Sequence, residues 1–249
     1  MRTPRFLAAL ACVLIAGAVQ SAELKLLSAG AFKPVLIALQ PAFEQRTGHR
    51  LIIDNDTAGG LQKRIAGGET FDAVFSSPAS LQPLAARLAG EPPVPLARVA
   101  IGVAVKPGSP APDVGTVEAF RATLLSARSV AYIDPASGGS SGIYLDRLFE
   151  RWGIAPQIRA KAILVPGGLV AQKVMDGSAE IAIHQISEIL AVPGAVLVGP
   201  IPAEVQNYTI YAGAVSATSA NTAAVKELFQ MLRGAEAVEA LKSKGMETP

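Results

Sequence analysis

Residues 24–32 are Leu-Lys-Leu-Leu-Ser-Ala-Gly-Ala-Phe, an apolar run that passes directly into a turn. The first four of these residues predict a short buried β-strand, and Ser28-Ala29-Gly30 predicts the turn that follows it. We expect a helix to begin near Phe32, because Pro34 is tolerated in the first turn of a helix, where its missing N–H would have no partner. A strand, a turn and a helix in this order form the first unit of an α/β fold.

The same alternation of short β-branched runs and amphipathic runs continues along the chain and predicts an α/β fold with mainly parallel sheets. Further strands are predicted at residues 51–54, 71–75, 99–105, 130–133, 162–165, 181–183 and 208–215. Further helices are predicted at residues 60–66, 79–88, 117–125, 142–152, 169–175, 222–232 and 235–244.

Two turn-rich segments interrupt this pattern. Residues 90–95 (Gly-Glu-Pro-Pro-Val-Pro) precede one long apolar strand, and a proline-containing connector at residues 196–202 precedes another. Such segments are typical of links between compact units. We therefore predict two lobes joined by two crossings of the chain. Lobe 1 is discontinuous, at residues 23–98 and 208–249, and lobe 2 is residues 99–207.

The beginning of the chain, residues 1–22, predicts a secretory signal peptide. Arg2 and Arg5 give it a positive start, a mostly apolar run covers residues 6–19, and the small residues 21–22 offer the cleavage site. A membrane-anchoring helix is the alternative, but it needs about 20 apolar residues. We therefore expect cleavage of this segment and a periplasmic location for the mature protein.

The charge and the cysteine content change when this segment leaves. The whole chain has 22 Lys and Arg, 20 Asp and Glu and one cysteine, Cys12. Loss of two arginines leaves a mature protein without formal net charge, which argues against nucleic-acid or anionic-membrane partners. Cys12 would also fit a lipoprotein, but it lies too early in the chain. With the cysteine gone and only two separated histidines, His49 and His184, no metal and no cofactor are expected.

Five stretches of the sequence carry a family resemblance: residues 27–32 (Leu-Ser-Ala-Gly-Ala-Phe), 43–48 (Phe-Glu-Gln-Arg-Thr-Gly), 58–65 (Ala-Gly-Gly-Leu-Gln-Lys-Arg-Ile), 71–77 (Phe-Asp-Ala-Val-Phe-Ser-Ser) and 177–183 (Gly-Ser-Ala-Glu-Ile-Ala-Ile). With these, the chain resembles the molybdate-type periplasmic solute-binding proteins of ABC transporters, which are similar to a periplasmic aconitate isomerase. The resemblance implies the type II periplasmic binding fold: two α/β lobes joined by two crossover strands, with the ligand cleft between them.

The sequence departs from this family where the ligand is expected. Molybdate binders usually have a serine in each of the first two loops and a tyrosine after the Gly-x-Ala-Asp strand. Here Ser28 suits the first loop, but Ala58 follows Thr57 in the second, and His184 and Gln185 follow the strand. By resemblance Thr57 and Gln185 are candidate ligand-binding residues. A carboxylate ligand fits these departures at least as well as a tetrahedral oxyanion does.

Two loops between a strand and a helix are candidate anion sites, because helix N-termini present free N–H groups. Ser28 and Gly30 lie in the first loop, where an ordinary helix cap with a turn glycine is the alternative. Residues 134–142 (Asp-Pro-Ala-Ser-Gly-Gly-Ser-Ser-Gly) form the second and offer hydroxyl and backbone N–H donors at Ser137, Gly139 and Ser140. A flexible turn with a serine cap is the alternative there.

Three further side chains are candidates for ligand contact, although each could also have a purely structural role. Lys63 and Arg64 follow the loop at Thr57; they are either solvated surface or, turned inward, cations for a carboxylate. His184 ends a strand and is either a structural histidine or, in the cleft position given by the resemblance, a ligand contact.

Two functions follow from these features. The first is capture of a small carboxylate or oxyanion by closure of the cleft, for uptake through an ABC permease, by a protein that we expect to be a monomer. The alternative is an aconitate isomerase, which interconverts trans- and cis-aconitate by an allylic proton shift. His184 would then be the base and acid, and Lys63 or Arg64 would stabilise the dienolate-like charge.

Overall fold

The computed structural model describes residues 21–249. Cys12 and all but the last two residues of the predicted signal peptide lie outside the described residues. Within residues 21–249, no helix is long and apolar enough to cross a membrane.

The predicted alternation of strands and helices is observed. The strands are β1 (Glu23–Ala29), β2 (Arg50–Asp56), β3 (Ala73–Ser76), β4 (Val94–Val99), β5 (Ile101–Val105), β6 (Val130–Ile133), β7 (Ala162–Val165), β8 (Ile181–Gln185), β9 (Val196–Pro200), β10 (Thr209–Val215) and β11 (Met246–Glu247). The α-helices are α1 (Lys33–Thr47), α2 (Ala58–Ala66), α3 (Pro78–Leu81), α4 (Val117–Ser126), α5 (Ser140–Arg151), α6 (Ala155–Arg159), α7 (Gln172–Met175), α8 (Ile186–Leu190), α9 (Thr222–Met231) and α10 (Ala235–Ser243). Short 3₁₀ helices occupy Gln82–Arg87, Pro135–Ser137 and Ala203–Val205.

The strands form two mixed sheets. The first has the spatial order β11-β4-β10-β3-β1-β2, and the second has the order β7-β6-β8-β5-β9. In the first sheet β1 is parallel to β2 and β3, whereas β10 runs antiparallel to β3 and β4. In the second, β6 is parallel to β7 and β8, whereas β5 runs antiparallel to β8 and β9. These two sheets with covering helices confirm the predicted α/β class. The prediction of mainly parallel sheets is wrong, because five of the nine strand pairings are antiparallel.

The long strand predicted at residues 99–105 is two strands in two different sheets. β4 ends at Val99 and pairs with β10, and β5 begins at Ile101 and pairs with β8. Val99, Ala100 and all of β5 are buried, so the apolar run continues through Ala100, where the chain changes sheet. Similarly, residues 196–200, predicted as part of a connector, form the edge strand β9.

Each sheet has its own apolar core. Phe32, Phe43 and Phe75 belong to the core of the first sheet, and Tyr132 and Phe149 to a core on the second. A third buried cluster of smaller side chains covers the other face of the second sheet. Because each sheet buries its own apolar residues, the surface between them is free to carry polar groups.

The helices α1, α2, α5 and α8 follow β1, β2, β6 and β8 respectively. Within each sheet the strands that precede these helices are joined by parallel pairing. The carboxyl ends of parallel strands meet at one edge, which is where α/β folds place ligands. This arrangement brings several loops and helix N-termini to the space between the two sheets.

Candidate functional site

A pocket with about 410 Å³ of unfilled space lies between the two sheets. The loops after β1 and β2 and one side chain of β10 form one wall. The loops after β6 and β8 form most of the other wall.

Three helices of eight or more residues begin at this pocket. Gly30 and Ala31 precede α1, Thr57 caps α2, and Gly139 is the N-cap of α5; all four residues line the pocket. A helix N-terminus offers unpaired N–H groups and a partial positive charge. Among the described residues, no lysine or arginine lines this pocket. The pocket can therefore hold an anion by backbone donors and helix dipoles alone.

His184 and Glu188 form a buried pair in the pocket wall. His184 Nε2 lies 3.1 Å from Glu188 Oε2, and the two side chains are only 2% and 9% exposed. Burial lowers the pKa of His184 to about 3 and raises the pKa of Glu188 to about 8. Both groups are thus held in their neutral forms near neutral pH, because a low-dielectric environment disfavours charge.

The pair fixes where the imidazole proton lies. A protonated Glu188 donates to Nε2 of His184, so the imidazole carries its own proton on Nδ1. Among the described residues, Nδ1 is buried and has no protein partner. An unpaired buried donor is costly, and a ligand anion in the pocket would satisfy it.

Gln185 holds the two sheets together behind the pocket. Its amide nitrogen donates to Ser140 Oγ at 2.9 Å and to Thr209 Oγ1 at 3.0 Å, and its carbonyl accepts from the Tyr211 hydroxyl at 2.7 Å. Burial raises the pKa of Tyr211, and the neighbouring charge of Glu188 adds to this. The amide is saturated by these bonds, so Gln185 positions Ser140 and Tyr211 rather than offering its own donors.

We expect Tyr211→Phe to destabilise the protein, because it leaves the buried Gln185 carbonyl without its donor. An unsatisfied buried acceptor costs about 1–3 kcal/mol. Urea unfolding of the purified protein measures this loss. Tyr208→Phe is the matched control, since Tyr208 is 47% exposed and its ring contact with Arg98 is retained by phenylalanine. An equal effect of the two substitutions would contradict the positioning role of Tyr211.

The loops after β2 and β6 touch each other at the pocket. Gly59 N donates to Gly138 O at 3.1 Å, and Thr57 Oγ1 donates to Ser137 O at 2.6 Å. The backbones approach so closely that a Cβ added to Gly59 would lie 2.7 Å from Gly138 Cα. This contact, which we call the glycine clasp, joins the two walls of the pocket.

The structure brings most of the predicted site residues together. Six of the ten line the pocket: Gly30, Thr57, Gly139, Ser140, His184 and Gln185. Ser28 and Ser137 lie beside it, but their hydroxyls are already committed: Ser28 donates to Ala29 O at 2.9 Å and Ser137 donates to Asp134 O at 2.7 Å. Ser137 contributes instead through its carbonyl, which accepts from Thr57.

The structure does not bring Lys63 or Arg64 to the pocket. On α2, Leu61 and Ile65 face the core, and the helical period therefore turns Lys63 toward solvent. Arg64 Nε donates to Glu69 Oε2 at 2.6 Å, and its guanidinium also pairs with Asp54. These two carboxylates lie outside the pocket, and Arg64 Nη1 also lies 3.7 Å from Oδ2 of the pocket residue Asp56.

Sequence reasoning missed Glu188 and Tyr211, which also line the pocket. The spacing of four residues between His184 and Glu188 is a signal that the sequence contains. It was hidden because His184 ends a strand, whereas Glu188 lies in the short helix α8. Tyr211 gives no local signal, since it lies within the apolar strand β10. Within residues 21–249, no group of three or more His, Cys, Asp or Glu side chains could hold a metal ion.

Comparisons with known proteins agree with this geometry. Residues 24–247 match the model of the family described as bacterial extracellular solute-binding protein. An aconitate isomerase of a Pseudomonas species is 35% identical over 232 residues, which is 90% of this chain and 87% of that protein.

Two solved structures show the same fold. The periplasmic molybdate-binding protein of Azotobacter vinelandii superposes with a TM-score of 0.77 at 19% identity, covering 91% of this chain and 99% of that one. The sulfate-binding protein of Mycobacterium tuberculosis superposes with a TM-score of 0.72 at 18% identity, covering 91% and 87%. At such low identity these likenesses concern the fold alone.

Proposed function

Because the chain belongs to the family of bacterial extracellular solute-binding proteins, we propose that its pocket takes up a small carboxylate anion for delivery to an ABC permease. Membership confirms the resemblance predicted from the sequence, and the structural likeness to molybdate- and sulfate-binding proteins confirms the type II periplasmic binding fold. The choice of a carboxylate and the permease partner belong to the proposal.

The convergence of three helix N-termini on a pocket that no lysine or arginine of residues 21–249 lines carries this proposal. The N–H groups and the dipoles at such helix ends can stabilise a bound anion without a lysine or arginine side chain. Nδ1 of His184, which has no hydrogen-bond partner among residues 21–249, adds one more donor. A carboxylate is favoured over a tetrahedral oxyanion because Ala58 leaves the second loop without the serine that molybdate binders present. The similarity to an aconitate isomerase, an enzyme named for a tricarboxylate, supports the same choice.

The proposal includes the cellular setting of the protein. We place the mature protein in the periplasm, after removal of residues 1–22, and expect it to act as a monomer. We also propose that residues 23–98 and 208–249 move as one lobe and residues 99–207 as the other, so that the ligand is enclosed when the two approach.

Ligand-dependent thermal unfolding tests the proposal. The mature protein is heated with citrate, cis-aconitate, trans-aconitate, molybdate, tungstate, sulfate or phosphate. A ligand at a hundred times its Kd stabilises the folded state by about 2.7 kcal/mol. We expect this shift with one or more carboxylates. Stabilisation by molybdate or tungstate alone would overturn the choice of ligand, and no shift with any anion would overturn the function.

A second function, isomerisation of aconitate, is favoured by the His184–Glu188 pair. Above pH about 8, where Glu188 is ionised, the imidazole proton lies on Nε2, and Nδ1 is free to remove an allylic proton from the ligand. The electron pair left on carbon spreads into the adjacent carboxylate, and the Nε2 proton can pass to Glu188. Nδ1 then returns its proton at the other end of the allyl system. The helix N-termini, rather than Lys63 or Arg64, stabilise the dienolate-like charge.

The affinity for a fully ionised carboxylate should fall as pH rises through about 8, the raised pKa of Glu188. Below this pH, protonated Glu188 keeps the imidazole proton on Nδ1, where it donates to the anion. Above it, Glu188 is ionised, Nδ1 becomes an acceptor and a negative charge appears beside the ligand. We expect a loss of about tenfold by pH 9.5, the value of one hydrogen bond to a charged group. Isothermal titration calorimetry from about pH 7 measures it.

Glu188→Gln is the control for this pH dependence. Its amide donates to Nε2 at every pH, so Nδ1 stays protonated and the affinity should remain constant over the same range. The same pH dependence in the variant and the wild type would show that another group is responsible.

A further inference from the structure

A second cavity, which we call the outer cavity, opens beside the pocket. Lys33, Gln172 and Lys244 contribute to its lining. Gly30 and Glu188 line both the outer cavity and the pocket, so the two spaces adjoin. A ligand that fills the pocket can therefore extend into the outer cavity.

The outer cavity has the cations that the pocket lacks. Lys33 and Lys244 are half-buried, and within residues 21–249 neither forms an ion pair. Lys33 Nζ donates instead to the side-chain oxygen of Asn55 at 2.5 Å, and Asn55 also lines both spaces. Two ammonium groups without carboxylate partners at one cavity leave a place for an anionic group.

The position of Lys33 is unfavourable for its own helix. Lys33 is the first residue of α1, where the helix dipole repels a positive charge. The repulsion is relieved when an anion binds at the same end of the helix. The neighbouring Glu188 does not supply that anion near neutral pH, because burial raises its pKa to about 8 and keeps its carboxyl protonated.

We propose that Lys33 and Lys244 hold a second carboxylate of the ligand in the outer cavity, so that the protein selects di- and tricarboxylates over monocarboxylates. This inference rests on the proposed function, since the first carboxylate occupies the pocket. The pocket supplies backbone donors to one end of the ligand, and the outer cavity supplies charge to the other. The affinity therefore depends on both the length and the charge of the ligand.

The test compares two ligands by isothermal titration calorimetry. Propane-1,2,3-tricarboxylate has no double bond that could move and reaches both spaces, whereas butyrate fills the pocket alone. In the double variant Lys33→Gln/Lys244→Gln, we expect the affinity for the tricarboxylate to fall about tenfold or more, the value of a charge-assisted hydrogen bond. The affinity for butyrate should not change. Lys106→Gln, at an exposed lysine outside both spaces, is the matched control.

The salt dependence gives a second readout. Added salt should weaken tricarboxylate binding more in the wild type than in the double variant, because screening acts on the lysine charges. Should the double variant unfold, the two single variants are measured separately, and each is expected to lose part of the affinity. Unchanged tricarboxylate affinity in folded variants would overturn the role of the two lysines. Failure of the wild type to bind either carboxylate would instead overturn the proposed function itself.

Discussion

His184→Gln should reduce the interconversion of cis- and trans-aconitate by about 10²–10⁴-fold, the usual contribution of a general acid–base group. The substitution removes the imidazole of His184. Within residues 21–249, its Nδ1 is the only buried side-chain nitrogen that has no hydrogen-bond partner. Glutamine can still donate a hydrogen bond to the anion, so we expect binding to be retained. Proton NMR follows the interconversion, and calorimetry measures the remaining affinity.

His49→Gln is the matched control for this prediction. His49 is the other histidine of the chain, and it lies just before β2, whereas the pocket is lined by residues at the other end of that strand. We expect the His49 variant to isomerise at the wild-type rate. Wild-type activity in His184→Gln would exclude His184 as the base. Binding of aconitate by the wild type without any interconversion would leave solute uptake as the function.

Gly59→Val should weaken carboxylate binding by about tenfold to a hundredfold by breaking the glycine clasp. Even a single Cβ at this position would lie 2.7 Å from Gly138 Cα and 3.2 Å from Ser137 O. These obstacles are backbone atoms, which cannot move aside as a flexible side chain could. The two walls must therefore separate, and the closed state that binds the ligand becomes a minor population, which lowers the apparent affinity in proportion.

Gly59→Val should impair closure of the two walls without impairing folding. Gly59 lies in the first turn of α2 and has no positive φ, so a side chain does not strain the backbone there. We expect the urea midpoint without ligand to remain near that of the wild type. Small-angle X-ray scattering should show that the wild type contracts with ligand and that the variant does not. Gly199→Ala, where a Cβ meets nothing within 4 Å, is the control. Wild-type affinity in Gly59→Val would contradict the clasp.

Much of the site was predictable because anion loops have a local signature. A turn between a strand and a helix, with glycine or a hydroxyl residue, predicted Gly30, Gly139 and Ser140 as site residues, and the family resemblance predicted Thr57. All four line the pocket. Their positions follow from the order of elements along the chain, since a helix N-terminus always begins where the preceding strand ends. Lys63 and Arg64 follow the Thr57 loop in sequence but do not line the pocket. The helical period of α2 turns Lys63 toward solvent, and Arg64 pairs with the carboxylates of Asp54 and Glu69.

The sequence by itself determined the α/β class, the family resemblance and the loops that surround the pocket, because these depend on local periodicity and turn residues. Only the tertiary structure decided that the apolar run at residues 99–105 changes sheet at Ala100 and that Glu188 and Tyr211 face the same pocket. The physical reason is burial. The neutral His184–Glu188 pair and the two lysines at the adjoining cavity come together only when distant segments pack and exclude water from some titratable groups but not from others.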